Sequence, residues 1–194
     1  MSVKIGVLGV QGAVAEHIKT LERNGVEAVN VKRLEDLSDI NGLILPGGES
    51  TTIGRLIVQG NMKEKIQELA KDGMPIFGTC AGMVLLSEKI EGGEPAHLGL
   101  LNATVNRNGF GRQVHSFEKE LNVEGIAEGF NGVFIRAPYI SEVGPHVKVL
   151  ETIDEKVVAV EQDNILAVSF HPELTNDDRI INYFINKCQK PSNL

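Results

Sequence analysis

The chain opens on a short apolar run, Val3–Gly9, followed by a segment in which Val14, Ile18 and Leu21 recur at helical spacing. That alternation repeats through the first half. Val26–Val31, Gly42–Leu45 and Pro75–Thr79 read as strands, and Ala13–Arg23, Thr52–Ala70 and Ala81–Ser87 read as helices. Asn24-Gly25 and Asp72-Gly73 supply stop signals, and Gly60 interrupts the long second helix. Strands that alternate with helices predict an α/β fold: a flavodoxin-like, doubly wound, mostly parallel sheet with helices on both faces.

The second half has a different texture. Leu101–Asn106, Phe117–Val123, Gly132–Arg136, Val147–Ile153, Lys156–Glu161 and Ile165–Phe170 are strand candidates with little helical pattern between them. They predict antiparallel additions on one edge of the sheet. A closing helix is expected over Asp177–Lys187, with Ile180, Ile181, Phe184 and Ile185 on its apolar side and Asn176 as its N-cap.

Composition narrows the class. The 194 residues suit one domain that buries roughly 70% of its unfolded surface, and no linker divides residues 1–194. The net charge of −7 argues against nucleic acid as a main partner. No apolar run reaches membrane-spanning length, so no membrane partner is expected. The N-terminus enters a strand pattern at once and does not read as a signal peptide. Two cysteines make no disulfide framework, which points to a reducing, cytoplasmic setting. The five histidines and two cysteines form no metal-ligand spacing, and no metal is expected.

The chemistry concentrates in two places. Phe-Gly-Thr-Cys-Ala-Gly (77–82) puts a thiol on a strand-to-helix turn, flanked by Gly78 and Gly82. It is the thiol counterpart of the Gly-x-Ser-x-Gly elbow. Phe-His-Pro-Glu (170–173) supplies an imidazole and a carboxylate two residues apart at another strand end. A nucleophile, a base and an orienter make a triad, which is defined by roles rather than order. Cys80, His171 and Glu173 are the expected catalytic residues. Extended backbone would point His171 and Glu173 the same way.

Cys188 reads as packing. His17, His97, His115 and His146 read as structural or surface residues. The loop after the third strand, Leu-Pro-Gly-Gly-Glu-Ser (45–50), lets backbone approach a ligand. The amides of Gly48 and Ala81 are the expected oxyanion donors. Gly6, Gly9 and Gly12 mimic a dinucleotide fingerprint with the wrong first spacing. Gln11, in the same loop, is placed to order or cover the site, and Arg107 and Arg136 are candidate carboxylate forks.

These residues resemble the class I (triad) glutamine amidotransferases. More narrowly, the chain is similar to the glutaminase subunits of pyridoxal 5′-phosphate synthase. The resemblance spans nearly the whole sequence: residues 6–13, 43–52, 78–82, 97–101, 107–113, 134–138 and 169–175 carry it. It implies attack of Cys80 on the side-chain amide of L-glutamine, with His171 as base and then acid, through a γ-glutamyl thioester. It also implies glutamine binding by Gly47, Gly48, Glu49, Arg107, Ile135 and Arg136, and an activating role for Gln11 where a synthase subunit docks. The ammonia would pass to that partner, a dodecamer carrying one glutaminase per subunit, and this chain would bind no cofactor. Two other readings fit the residues: a different cysteine hydrolase of this fold, such as a γ-glutamyl hydrolase or peptidase, and a non-catalytic scaffold subunit.

Overall fold

The computed structural model describes residues 2–111 and 115–190. Arg112 and Gln113, which end one of the motifs above, lie outside the described residues. A large mixed sheet forms the centre. Its first strands are β1 (Lys4–Leu8), β2 (Glu27–Val31), β3 (Gly42–Leu45) and β4 (Ile76–Thr79). All pair in parallel, in the order β2-β1-β3-β4. The helices between them are α1 (Val14–Arg23), α2 (Ser50–Gln59) and α3 (Lys63–Lys71), with the expected interruption around Gly60.

β3 and β4 are buried at every position, because a parallel sheet is covered on both faces. This is why Gly-Leu-Ile-Leu and Ile-Phe-Gly-Thr carry no polar alternation. Leu43, Leu45 and Ile76 pack on one face of the sheet, and Ile44 and Phe77 pack on the other.

The elbow leads into α4 (Ala81–Leu86), which stops before Ser87. Ser87, expected to end that helix, instead begins a strand, β5 (Ser87–Ile90), parallel to β6 (Leu101–Asn106). The later strands are β7 (Ser116–Val123), β8 (Ala127–Ile135), β9 (Tyr139–Val143), β10 (Lys148–Ile153), β11 (Lys156–Gln162) and β12 (Ile165–Val168). They do not all join one edge as antiparallel hairpins. β12 pairs in parallel with β4, and the sheet then continues through β11, β9, β6 and β5. β10 lies on β11, and β7 and β8 form a separate two-stranded ribbon. β12 is as apolar as β3 and β4, so it too is covered on both sides.

The closing helix α5 runs over Arg179–Gln189 and buries Ile180, Ile181, Phe184 and Ile185 as expected. Asn176 is not its N-cap. The cap position is Asp178, whose side chain makes no capping bond, and the backbone N–H of Arg179 donates to Asp177 instead. The Thr175–Asp177 turn uses up the residues that the sequence offered as helix start.

Candidate active site

Strand register brings the site together. Thr79 of β4 lies opposite Val168 of β12, and Gly78 lies opposite Leu45 of β3. The residues that follow these strands, Cys80, Ser169–Glu173 and Pro46–Glu49, therefore emerge side by side. The same edge receives the loop after β1, whose Val7 pairs with Ile44. This is the carboxyl edge of a parallel sheet, where open α/β folds bind ligands.

Cys80 is the N-cap residue of α4, with φ 52° and ψ −108°. Its backbone N–H donates to the Val168 carbonyl at 2.9 Å. The positive φ costs energy for a residue with a Cβ and marks a sharp elbow. The flanking glycines make the elbow possible. A Cβ on Gly78 would meet Gly82 backbone at 2.7 Å, and one on Gly82 would meet the Leu45 carbonyl oxygen at 2.2 Å. Helix and strand approach too closely for side chains at either position.

The His171 imidazole lies within side-chain hydrogen-bonding reach of the Cys80 thiol. Its Nδ1 is 2.6 Å from Glu173 Oε1, which leaves Nε2 for the sulfur. The turn that aligns them is not extended. Pro172–Leu174 form a 3-10 turn, and this turn folds Glu173 back onto the ring of His171. Both residues are 8% exposed. Burial pulls the imidazole pKa down, but its hydrogen bonds to Cys80 and Glu173 prevail and raise it to about 10. Burial pulls the Glu173 carboxyl up, and the bond from His171 and the two nearby histidines still hold it below its usual range.

The glycine loop packs directly on this pair. A side chain on Gly47 would come within 2.6 Å of His171 Cε1 and 3.4 Å of Cys80 Cβ. The Gly47 carbonyl accepts from the Ala13 N–H at 2.9 Å, and Gln11 Oε1 accepts from the Glu49 N–H at 2.9 Å. The Gln11 loop thus holds the Gly47–Glu49 loop from the far side. Of the pseudo-fingerprint glycines, Gly12 serves this packing, since a Cβ there would sit 2.0 Å from the Gly47 carbonyl oxygen, whereas a Cβ on Gly9 would overlap Asn30 of β2.

Of the remaining expected residues, Ala81 is buried beside Cys80. The Ile135 carbonyl accepts from Cys80 Sγ at 3.7 Å, and its side chain is exposed. Arg136 follows in a left-handed conformation, and its guanidinium has no ion pair among the described residues. Arg107 is already a fork: Nη1 bonds both oxygens of Glu94, and Nη2 bonds Glu49 at 3.1 Å. The Glu49 carboxylate also caps α2, accepting from the N–H groups of Thr51 and Thr52. Its bond from the Thr52 hydroxyl leads the effects that hold its pKa down at about 2.

Sequence reasoning missed one residue. His17, expected to be structural or at the surface, is 1% exposed and directed at the triad. Its Nε2 lies 3.1 Å from Thr79 Oγ1 and 3.6 Å from Glu173 Oε2. The available signal was its helical spacing: four residues before the buried Leu21, it shares that inward face.

The model of the SNO glutamine amidotransferase family matches residues 7–190. A pyridoxal 5′-phosphate synthase subunit PdxT from Bacillus cereus (strain G9842) is 57% identical over 97% of this chain and 96% of its own length. The PdxT subunit of Geobacillus thermodenitrificans (strain NG80-2) is 54% identical over the same shares. A crystal structure of a glutamine amidotransferase superposes with a TM-score of 0.91 at 45% identity, covering 96% of this chain and 99% of that one.

Proposed function

The chain belongs to the SNO glutamine amidotransferase family, and from that premise we propose that it is a glutaminase supplying ammonia to a pyridoxal 5′-phosphate synthase. The observation that carries the reading is the buried row of Cys80, His171 and Glu173 on one sheet edge. Residues 1–194 act in this reading as a single class I glutamine amidotransferase domain.

The chemistry follows from the proton positions. Because His171 holds its proton well above the usual histidine range, an imidazolium faces the Cys80 sulfur. The Cys80 thiolate attacks the δ-carbon of glutamine, and the carbonyl electrons move to oxygen. The Gly48 and Ala81 amides stabilise that oxyanion. As the C–N bond breaks, His171 gives its proton to the departing nitrogen, which leaves as ammonia. A γ-glutamyl thioester remains. Water then attacks the thioester while His171 accepts its proton, and glutamate leaves as the thiolate re-forms. Glu173 keeps the imidazole in one tautomer and supports its positive charge.

Arg107, through Glu49, and the Gly47–Glu49 and Ile135–Arg136 backbones bind the amino-acid end of glutamine. Binding draws on the Arg107 guanidinium, so glutamine must share or displace Glu94. Gln11 couples the glycine loop to the surface on which the synthase subunit docks, and docking completes the oxyanion hole. The assembly is a synthase dodecamer with one glutaminase on each subunit, acting in the cytoplasm. No helix of the described residues is long and apolar enough to cross a membrane.

Glutamate release by the purified chain, with and without a synthase subunit, tests the reading. Weak release alone and strong release in the complex are expected. Strong release without any partner overturns the docking requirement. No release from glutamine in either case, with release from γ-glutamyl peptides, favours a γ-glutamyl hydrolase instead.

A further inference from the structure

Glu173 is held at one oxygen only. Oε1 accepts from His171 Nδ1, but Oε2 is buried and makes no hydrogen bond among the described residues. A buried carboxylate oxygen without a donor is costly, and a carboxylate anchored at one oxygen is free to pivot. His17 stands across from Oε2, with its Nε2 3.6 Å away. That is longer than a hydrogen bond, and a shift of about half an ångström closes it.

The tautomer of His17 follows from what surrounds this nitrogen. Nε2 faces two oxygens, Thr79 Oγ1 at 3.1 Å and Glu173 Oε2 at 3.6 Å. The Thr79 hydroxyl can donate or accept and so suits either tautomer, but a bare Nε2 would set its lone pair against the Glu173 Oε2 carboxylate oxygen in a buried site. A protonated Nε2 places its N–H between them. A doubly protonated ring is disfavoured, since burial lowers the His17 pKa more than Glu173 raises it.

We propose that His17 is a positioning residue of the triad: its Nε2–H, shared between Thr79 Oγ1 and Glu173 Oε2, fixes the carboxylate so that Oε1 stays on His171. The inference rests on the triad reading of Cys80, His171 and Glu173. It gives α1 a part in the chemistry, since the helix that follows the Gln11 loop also carries this histidine. The titratable groups facing His17 are Glu173 and His171 from the turn after β12 and Glu16 from its own helix. Those facing His171 are Cys80, Glu173 and His17 itself.

Steady-state glutamine hydrolysis by the full chain in complex with its synthase subunit tests the proposal. His17→Phe fills the space without a donor. It is expected to lower kcat about ten-fold, leave KM within about two-fold, and move the acid limb of the pH profile upward, because Glu173 then protonates more readily. His17→Gln, which restores an N–H near the same point, is expected to recover both kcat and the profile. Wild-type kcat and profile in His17→Phe, or no recovery in His17→Gln, overturns the proposal. If His17→Phe does not fold, imidazole nitrogen NMR of the wild-type chain decides. A neutral ring protonated at Nε2, whose signal moves in Glu173→Gln, supports the proposal, and protonation at Nδ1 alone overturns it. Turnover surviving in Cys80→Ala would sink the triad reading itself. A dead Cys80→Ala beside a normal His17→Phe would sink only this inference.

Discussion

At Cys80 the backbone adopts φ 52° and ψ −108°, which a residue with a side chain reaches only under tertiary constraint. The strain holds the sulfur above the sheet edge rather than in the core, while Cys188 is packed among hydrocarbon with burial pushing its pKa up to about 12. The two thiols should therefore differ in kind. Cys80→Ala is expected to cut glutamine turnover by at least about 10⁴-fold and to leave the melting temperature nearly unchanged. Cys188→Ala is expected to keep turnover and to lose about 1–2 kcal/mol of stability in urea unfolding, from lost packing. The opposite pattern would exchange their roles. The identity of the nucleophile was legible in the sequence because Gly78 and Gly82 flank it. The role of His17 was not, because nothing in a local window tells that an inward helical position meets Glu173, 156 residues later.

At the scale of elements, the loops matter through their fit to one another. Gly12 has φ +105°, and a Cβ there would strike the Gly47 carbonyl oxygen at 2.0 Å. Gly12→Ala should thus displace the Gly47–Glu49 loop and lower kcat about ten-fold or more, with a stability loss of about 1–3 kcal/mol. Gly73 provides the control. It also has positive φ, +93°, but nothing lies within 4 Å of its Cβ position, at the opposite end of the strands from the site. Gly73→Ala should cost stability through backbone strain alone and leave kcat unchanged; equal kcat losses would show that the Gly12 contact is irrelevant.

The parallel half of the fold was legible because β1, β3 and β4 alternate with helices of clear 3.6-residue spacing. The later half was not. β5 follows α4 without a break, so Ser87–Ile90 carries no boundary signal, and β9 begins just after Ala-Pro. The position of β12 beside β4 is set by a contact across 89 residues, Ile165 with Ile76, which periodicity does not encode. The 3-10 turn at Pro172–Leu174 was likewise hidden, although its proline fits the first position of such a turn.

For the molecule as a whole, the triad couples proton uptake to folding. His171 has a folded pKa of about 10 against 6.5 for a free histidine. Its contribution to stability is present in full below pH 6.5 and is lost as pH rises toward 10. Glu173, held below its usual range, contributes above 4.5, and that contribution fades as pH falls through its lowered value. Urea unfolding followed from pH 6.5 to 10 should show a decline that His171→Gln flattens. An unchanged slope in the variant would mean that the proton is not held at His171.

The most direct test of the central claim is labelling with an electrophilic glutamine analogue, followed by mass spectrometry of the digested chain in its synthase complex. A single adduct on Cys80 is expected, slowed by added glutamine and absent in Cys80→Ala. An adduct on Cys188, or a Cys80 that ignores the analogue while reacting with simple alkylating agents, would contradict it.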